Sequence, residues 1–257
     1  MSKAYLLYNP NVKNGNIQDN LDALEVVIDD EVVFSDLTQS GMPMTLLEKL
    51  EEDDYLILCG GDGTLNRFAN DTANMNIQNE ILYFPCGANN DFAAEFQKSY
   101  GCNPFRITQY LQELPTVTVN GKTCRFLNGV GLGIDSRSSI SKYKPVGATV
   151  KVDGVTHRFE KVWMTPTMYG KFYGGGMIPA PKQKRGDGHL SLMVLHGSSK
   201  LKTRMLFSSI CKGSLTSHQK YVSAFCGRNI TVTFDEPRSL QIDGETIENV
   251  LTYTARR

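Results

Sequence analysis

The chain has 257 residues, 40% of them hydrophobic and 21% charged, which is the make-up of an ordinary globular protein and excludes a fibrous or disordered one. Apolar runs such as residues 55–59 fall far short of a membrane span, and the opening MSKAYLLYNP lacks the apolar core of a secretory signal, so a cytoplasmic location is expected. The zero net charge conceals a division. Residues 1–120 carry 6 Lys/Arg against 18 Asp/Glu, a balance of −12, and residues 121–257 carry 21 against 9, a balance of +12. A basic half of this kind is drawn to an anionic partner, lipid headgroup or nucleic acid, unless the two halves neutralise each other across a domain interface. The six cysteines (Cys59, Cys86, Cys102, Cys124, Cys211 and Cys226) form no CxxC pair and have no histidine at zinc-ligand spacing, so they read as small thiols in a reducing compartment.

In chain order, AYLLY (4–8) predicts a buried strand, followed by the turn-rich NPNVKNGN and a helical stretch near 17–28. EVVF (31–34) predicts a second strand and residues 43–50 a second helix. YLILC (55–59) is continuously apolar, as a strand buried on both faces should be. GGDGTLN (60–66), a helix to about residue 72, a strand at 81–84 and the loop PCGANND follow. This alternation argues for a parallel sheet with helices on both faces. Beyond residue 115 the pattern changes to strands at 116–119, 124–130, 150–152, 163–168, 190–195, 221–225, 230–234 and 239–242, with one helix near 201–211. Asn120-Gly121, Asp153-Gly154 and Asp243-Gly244 mark turns between them. The expected organisation is an α/β domain over 1–115 and an antiparallel β domain over 116–246, with residues 247–257 either closing the second domain or returning to the first.

The strongest chemical signal is Gly60-Gly61-Asp62-Gly63-Thr64 at the end of a strand and the start of a helix. Three glycines in four residues let the backbone approach a ligand and adopt positive φ, so that successive N–H groups converge on an anion, and the helix N-terminus favours phosphate as well. Thr64 and Asn66 add a hydroxyl and an amide. Asp62 makes sense among phosphate binders if it holds or orients Mg²⁺ or aligns a catalytic group. The competing patterns fail: Gly121-Lys122-Thr123 has Thr116 where a P-loop needs its first glycine, Gly129–Gly133 lacks the third glycine of GxGxxG because Ile134 stands there, and no HRD or DFG occurs.

GGDGTLN is shared by NAD kinases and by the diacylglycerol/sphingosine-type lipid kinases, and PCGANNDFA (85–93) resembles the lipid-kinase loop P-x-GTxNDFA. YNPNVKNG (8–15), GVGLGIDS (129–136), GGGMIPAPKQKRGDGHL (174–190), TSHQKYV (216–222) and LQIDGE (240–245) resemble further segments of the bacterial diacylglycerol kinase family, in the same order. The resemblance implies a parallel-sheet nucleotide domain, a β-sandwich domain carrying the lipid-side residues, and ATP with Mg²⁺ as cofactors. It implies nucleotide contacts from Asn9, Gly60, Gly61, Asp62, Gly63, Thr64, Asn66, Gly87, Asn89, Asn90 and Asp91. It also implies Glu245 as general base, an acidic network of Asp62, Asp91 and Asp243 around catalytic Mg²⁺, and a structural-metal segment at Lys184, Asp187 and His189. In that segment the Asp187 side chain and neighbouring carbonyls supply the oxygens, and His189 contributes only its backbone. His218 is expected to be structural. The expected partners are a lipid substrate and an anionic membrane surface, met by the basic second half around Lys182, Lys184, Arg185 and Met177-Ile178-Pro179. No nucleic acid is expected, and a homodimer is left open.

The sequence departs from the family in three places. Arg67 stands where lipid kinases usually have Glu, and Ala88 replaces a Thr hydroxyl. The stretch 136–154 is shorter than the family's helical insertion, which leaves Lys142 and Lys144 as the candidates to stand in for its lysine, neither of them clearly aligned with it. NAD kinase, or a nucleotide-binding member without catalysis, are the alternatives.

Overall fold

The computed structural model describes residues 2–11, 17–39, 42–134, 139–214 and 218–257. Residues 12–15 of the YNPNVKNG segment, Asp135 with 136–138, and Thr216 and Ser217 of TSHQKYV lie outside them. The chain divides into two units, Met1–Glu113 and Leu114–Arg257.

The first unit runs β1 (Lys3–Tyr8), α1 (Ile17–Val27), β2 (Glu31–Asp36), α2 (Met44–Leu47), β3 (Tyr55–Gly60), α3 (Asp62–Asp71), β4 (Glu80–Pro85), α4 (Asp91–Glu95), β5 (Phe105–Arg106) and α5 (Thr108–Leu111). Its sheet has the order β2-β1-β3-β4-β5, with the first four strands parallel and β5 antiparallel to β4. The apolar runs of β1 and β3 are buried on both faces, as expected for central parallel strands. On α1, Leu21 and Leu24 share one face and pack with Leu6, Ile57 and Phe84. The helix expected over 43–50 is a single turn, because the Asp54 carboxylate accepts hydrogen bonds from Glu51 N (2.9 Å) and Lys3 N (2.9 Å) and draws the chain into β3.

The second unit runs β6 (Thr116–Val119), β7 (Lys122–Arg125), β8 (Gly129–Gly133), β9 (Val146–Val152), β10 (Val155–Val162), β11 (Met164–Met168), β12 (Leu190–Leu195), α6 (Lys200–Cys211), β13 (Val222–Gly227), β14 (Asn229–Ile242) and β15 (Glu245–Arg256). Its antiparallel order is β13-β12-β11-β8-β14-β15-β6-β7, with β9 and β10 branching from β14. Strand β14 pairs with β15 along one edge, while its other edge takes β9 first and β8 later. The expected Asn-Gly and Asp-Gly turns close the β6–β7, β9–β10 and β14–β15 hairpins, with positive φ at both residues of each. Trp163, Met168, Met193, Leu206 and Ile210 belong to one core, and the Trp163 indole donates to Ser198 O at 3.1 Å. Helix α6 is capped by Ser199, whose hydroxyl accepts from Lys202 N.

Three expectations change here. The strand expected over 124–130 is two strands, β7 and β8, separated at 126–128. The two expected at 230–234 and 239–242 are the single β14, with irregular register between Thr233 and Leu240. Residues 247–257 belong to β15 of the second sheet and do not return to the first.

Candidate functional site

Neighbouring strands β1 and β3 connect onward to opposite sides of the sheet, since β2 lies beyond β1 and β4 beyond β3. Ligands of open α/β sheets bind outside the strand carboxyl ends at such a switch point. Asn9 follows β1, Gly60 ends β3, and Cys86 and Gly87 follow β4, so the sequence-predicted nucleotide residues of this unit gather along one sheet edge. Asn9 makes a local turn, its side-chain oxygen accepting from Asn11 N at 2.9 Å.

The two glycine loops are tied together. Gly60 O accepts from Cys86 N (2.9 Å), Gly87 N (3.1 Å) and the Tyr83 hydroxyl (3.1 Å), and Asp62 N donates to Asn89 O (3.1 Å). Asn90 closes the second loop, donating to Gly87 O (2.9 Å) and accepting from Gly87 N (3.3 Å) and Tyr83 OH (3.1 Å). Asp62 is 4% exposed, and its two oxygens accept from Asp91 N (2.8 Å) and Phe92 N (3.0 Å), the first residues of α4. Positive φ, expected of Gly60, Gly61 and Gly63, occurs at none of them. The glycines serve close approach instead: a Cβ on Gly87 would lie 2.3 Å from Gly61 Cα, and one on Gly61 would lie 2.7 Å from Asn89 O. Thr64, buried, and Asn66, half-buried, lie on the first turns of α3, and Asn66 accepts from the Asn70 amide. Arg67 is exposed and pairs with Asp71 on its own helix.

The surroundings suppress ionisation. Burial, followed by the negative charge of Asp62, pushes the Tyr83 phenol well above its usual range, so it stays a neutral donor. Burial likewise raises the Cys59 thiol and holds Cys86 at about 12, which makes both inert core thiols.

In the second unit, Asp243 occupies the β14–β15 turn. Its buried carboxylate accepts from Leu127 N (2.5 Å), Asn128 N (2.7 Å) and Gly129 N (3.0 Å), which is why β7 and β8 are separated there. Glu245 follows as the first residue of β15, with its side chain exposed. Two residues not expected at this turn adjoin it, Asn128 and Arg185. Arg185 donates to Leu127 O and to Asn128 Oδ1 (2.5 Å each) and lies over the Tyr169 ring. Asn128 is 3% exposed, with its amide nitrogen unpartnered among the described residues. A polar residue interrupting the apolar run Phe126-Leu127 was the available signal for it. Asp62 and Asp91 meet in the first unit; Asp243 belongs to the second.

At the expected metal segment, Asp187 Oδ2 accepts from Lys184 N at 3.3 Å and lies 4.0 Å from His189 Nε2. The carbonyls of Lys184 and His189 fit a cation poorly, because both already accept from the Gln183 side-chain amide, at 3.1 and 3.2 Å. Of the expected membrane patch, Met177 and Pro179 are buried and Ile178 is half-buried, and Arg185 donates to Leu127 and Asn128. His218 Nε2 lies 3.0 Å from Ser209 Oγ of α6, a structural contact. Lys142 and Lys144 are exposed between Ser141 and β9.

A parallel-sheet unit with two tied glycine loops at its strand ends is joined in sequence to an antiparallel β unit. Residues 3–118 match the diacylglycerol kinase catalytic domain and residues 118–254 the YegS C-terminal NAD kinase beta sandwich-like domain, and the chain belongs to this diacylglycerol kinase-like family. Two Staphylococcus aureus proteins (strains MSSA476 and MW2), each named as a "putative lipid kinase", are 25% identical over 218 residues, 75% of this chain and 70% of theirs. A solved diacylglycerol kinase structure from Bacillus anthracis str. Sterne superposes with a TM-score of 0.70 at 19% identity, over 99% of this chain and 94% of that one. A second structure, of a "putative diacylglycerol kinase" from the same organism, gives 0.69 at 21% identity, over 99% and 93%. At these identities the structural likeness carries the fold.

Proposed function

We propose that this chain is an ATP- and Mg²⁺-dependent lipid kinase that phosphorylates a hydroxyl of diacylglycerol or a related lipid. The observation carrying this reading is the pair of glycine loops held together at the switch point of a parallel sheet, in a chain both of whose domains match the family. Phosphoryl transfer asks little covalent work of a protein and depends on positioning and charge neutralisation. Gly60, Gly61, Gly63, Thr64 and Asn66, with Gly87, Asn89 and Asn90 opposite and Asn9 beside them, bind the nucleotide. Asp91 is the carboxylate of the first unit assigned to Mg²⁺, because an ionised oxygen suits that hard cation, whereas the Asp243 carboxylate is occupied by three backbone N–H groups and fixes the β14–β15 turn. Asp62 acts by fixing the start of α4. Bound Mg²⁺ supplies charge neutralisation on the phosphates. Glu245, exposed beside the Asp243 turn, accepts the proton of the acceptor hydroxyl.

Among the described residues no helix is long and apolar enough to cross a membrane. We assign peripheral membrane contact to the outer face of α6, where Leu201 and Met205 are 73% and 62% exposed and Lys200, Arg204 and Lys212 surround them. Cosedimentation with anionic and neutral vesicles checks this, and equal binding to both refutes it.

The deciding experiment follows labelled phosphate from ATP to a total lipid extract and, in parallel, to NAD, for the wild type and Glu245→Gln. The expected outcome is a labelled lipid product, no labelled NADP, and a rate at least about 100-fold lower in the variant with ATP binding retained. Label in NADP, or turnover indifferent to Glu245→Gln, overturns the reading.

A further inference from the structure

The loop between Ala180 and β12 resembles a segment that holds a structural cation, yet a side chain of this chain fills the bonding role. We infer that the Gln183 amide takes the place of that cation, so that the loop is fixed without metal. Gln183 is 2% exposed and both ends of its amide are engaged: its Nε2 donates to Lys184 O (3.1 Å) and His189 O (3.2 Å), and its Oε1 accepts from Ser191 Oγ (2.6 Å) on β12. Both partners of Nε2 are carbonyls, which only accept, so this amide orientation is the one the loop permits.

Three carbonyls of the loop take further hydrogen bonds. Lys184 O takes a second hydrogen bond from Asp187 N (3.2 Å), which uses its two lone pairs. Gly188 O accepts from Arg228 Nε (3.0 Å) and Asp187 O from Arg257 Nε (3.4 Å). Mg²⁺ binds oxygens at about 2.0–2.1 Å and Ca²⁺ at about 2.3–2.6 Å, so either would need the space and lone pairs that the amide hydrogens occupy. It would also sit among two guanidinium groups, which repel it. Two N–H bonds from one neutral side chain thus join the two ends of the loop that a cation would otherwise bridge. The inference stands on this loop alone and is independent of the nucleotide reading.

The test compares thermal unfolding of the full chain without nucleotide, in EDTA and in millimolar Mg²⁺ or Ca²⁺ at matched ionic strength. The wild type and Asp187→Asn are expected to show the same response to cations, and Gln183→Ala to melt lower in EDTA by about 4 °C or more. Cations should restore part of that loss, since the substitution frees the carbonyls. A wild-type stabilisation by cations that disappears in Asp187→Asn overturns the inference, as does a Gln183→Ala protein as stable as wild type in EDTA. If Gln183→Ala does not fold, Gln183→Glu supplies the same contrast: stabilisation by cations supports the inference, and indifference to them refutes it.

Discussion

Replacing Asp62 by alanine removes the carboxylate that receives Asp91 N and Phe92 N at 2.8 and 3.0 Å. Both amides are on buried residues, so each loses a charged acceptor that water does not readily replace. A hydrogen bond to a charged group is worth about 1.5–3 kcal/mol, and the two together put the loss near 3–6 kcal/mol for the first unit. That is a large share of the 5–15 kcal/mol typical of a domain. Hydrogen exchange of the Asp91 and Phe92 amides, read with urea unfolding of the first unit, checks it. Protection should collapse at those two positions first. A loss below about 1 kcal/mol with both amides still protected would refute the clamp, because those bonds would then contribute no more than an ordinary exposed contact. The same reasoning makes Asp62→Ala a poor control for catalysis and Glu245→Gln a better one.

Gly87→Ala should force the glycine loops apart, since its Cβ would meet Gly61 Cα at 2.3 Å and Gly61 N at 2.4 Å, backbone on both counts. Nucleotide affinity measured by calorimetry should fall at least about tenfold, with unfolding of the second unit unchanged. Burial lowers the pKa of His196, which lies 4.7 Å from the Phe159 ring and 3.0 Å from Ser223 Oγ. Its folded form therefore binds protons less readily than its unfolded form. The stability it contributes is present above the unfolded value near 6.5 and declines as pH falls through the lower folded value. Urea midpoints of the second unit between pH 7.5 and 5 (roughly the range that brackets a histidine) should fall less steeply in His196→Gln; parallel profiles would contradict this.

Where local chemistry dictates structure, the sequence was readable. The run 55–59 can only be a buried strand, and the three Asn-Gly or Asp-Gly pairs specify hairpins through their φ. The pairing of the two glycine loops was less visible, because the glycines serve close backbone approach and not the positive φ expected of them. What escaped depends on partners far along the chain. The strand expected over 124–130 breaks because three of its N–H groups turn to Asp243, more than a hundred residues away. Strand β10, VTHRFEKV, is mostly exposed and carries little apolar alternation, and β15 resembles it in this respect. The role of Gln183 was hidden inside the basic run KQKR, where charge drew attention from the amide.

The indole of Trp163 has a further use. It is the chain's single tryptophan, buried in the second unit and hydrogen-bonded to Ser198 O. Emission excited at the red edge of protein absorbance therefore reports the antiparallel unit alone and is blind to the parallel-sheet unit. Loss of far-ultraviolet ellipticity without a shift in that emission is the optical signature of the cradle unit melting by itself.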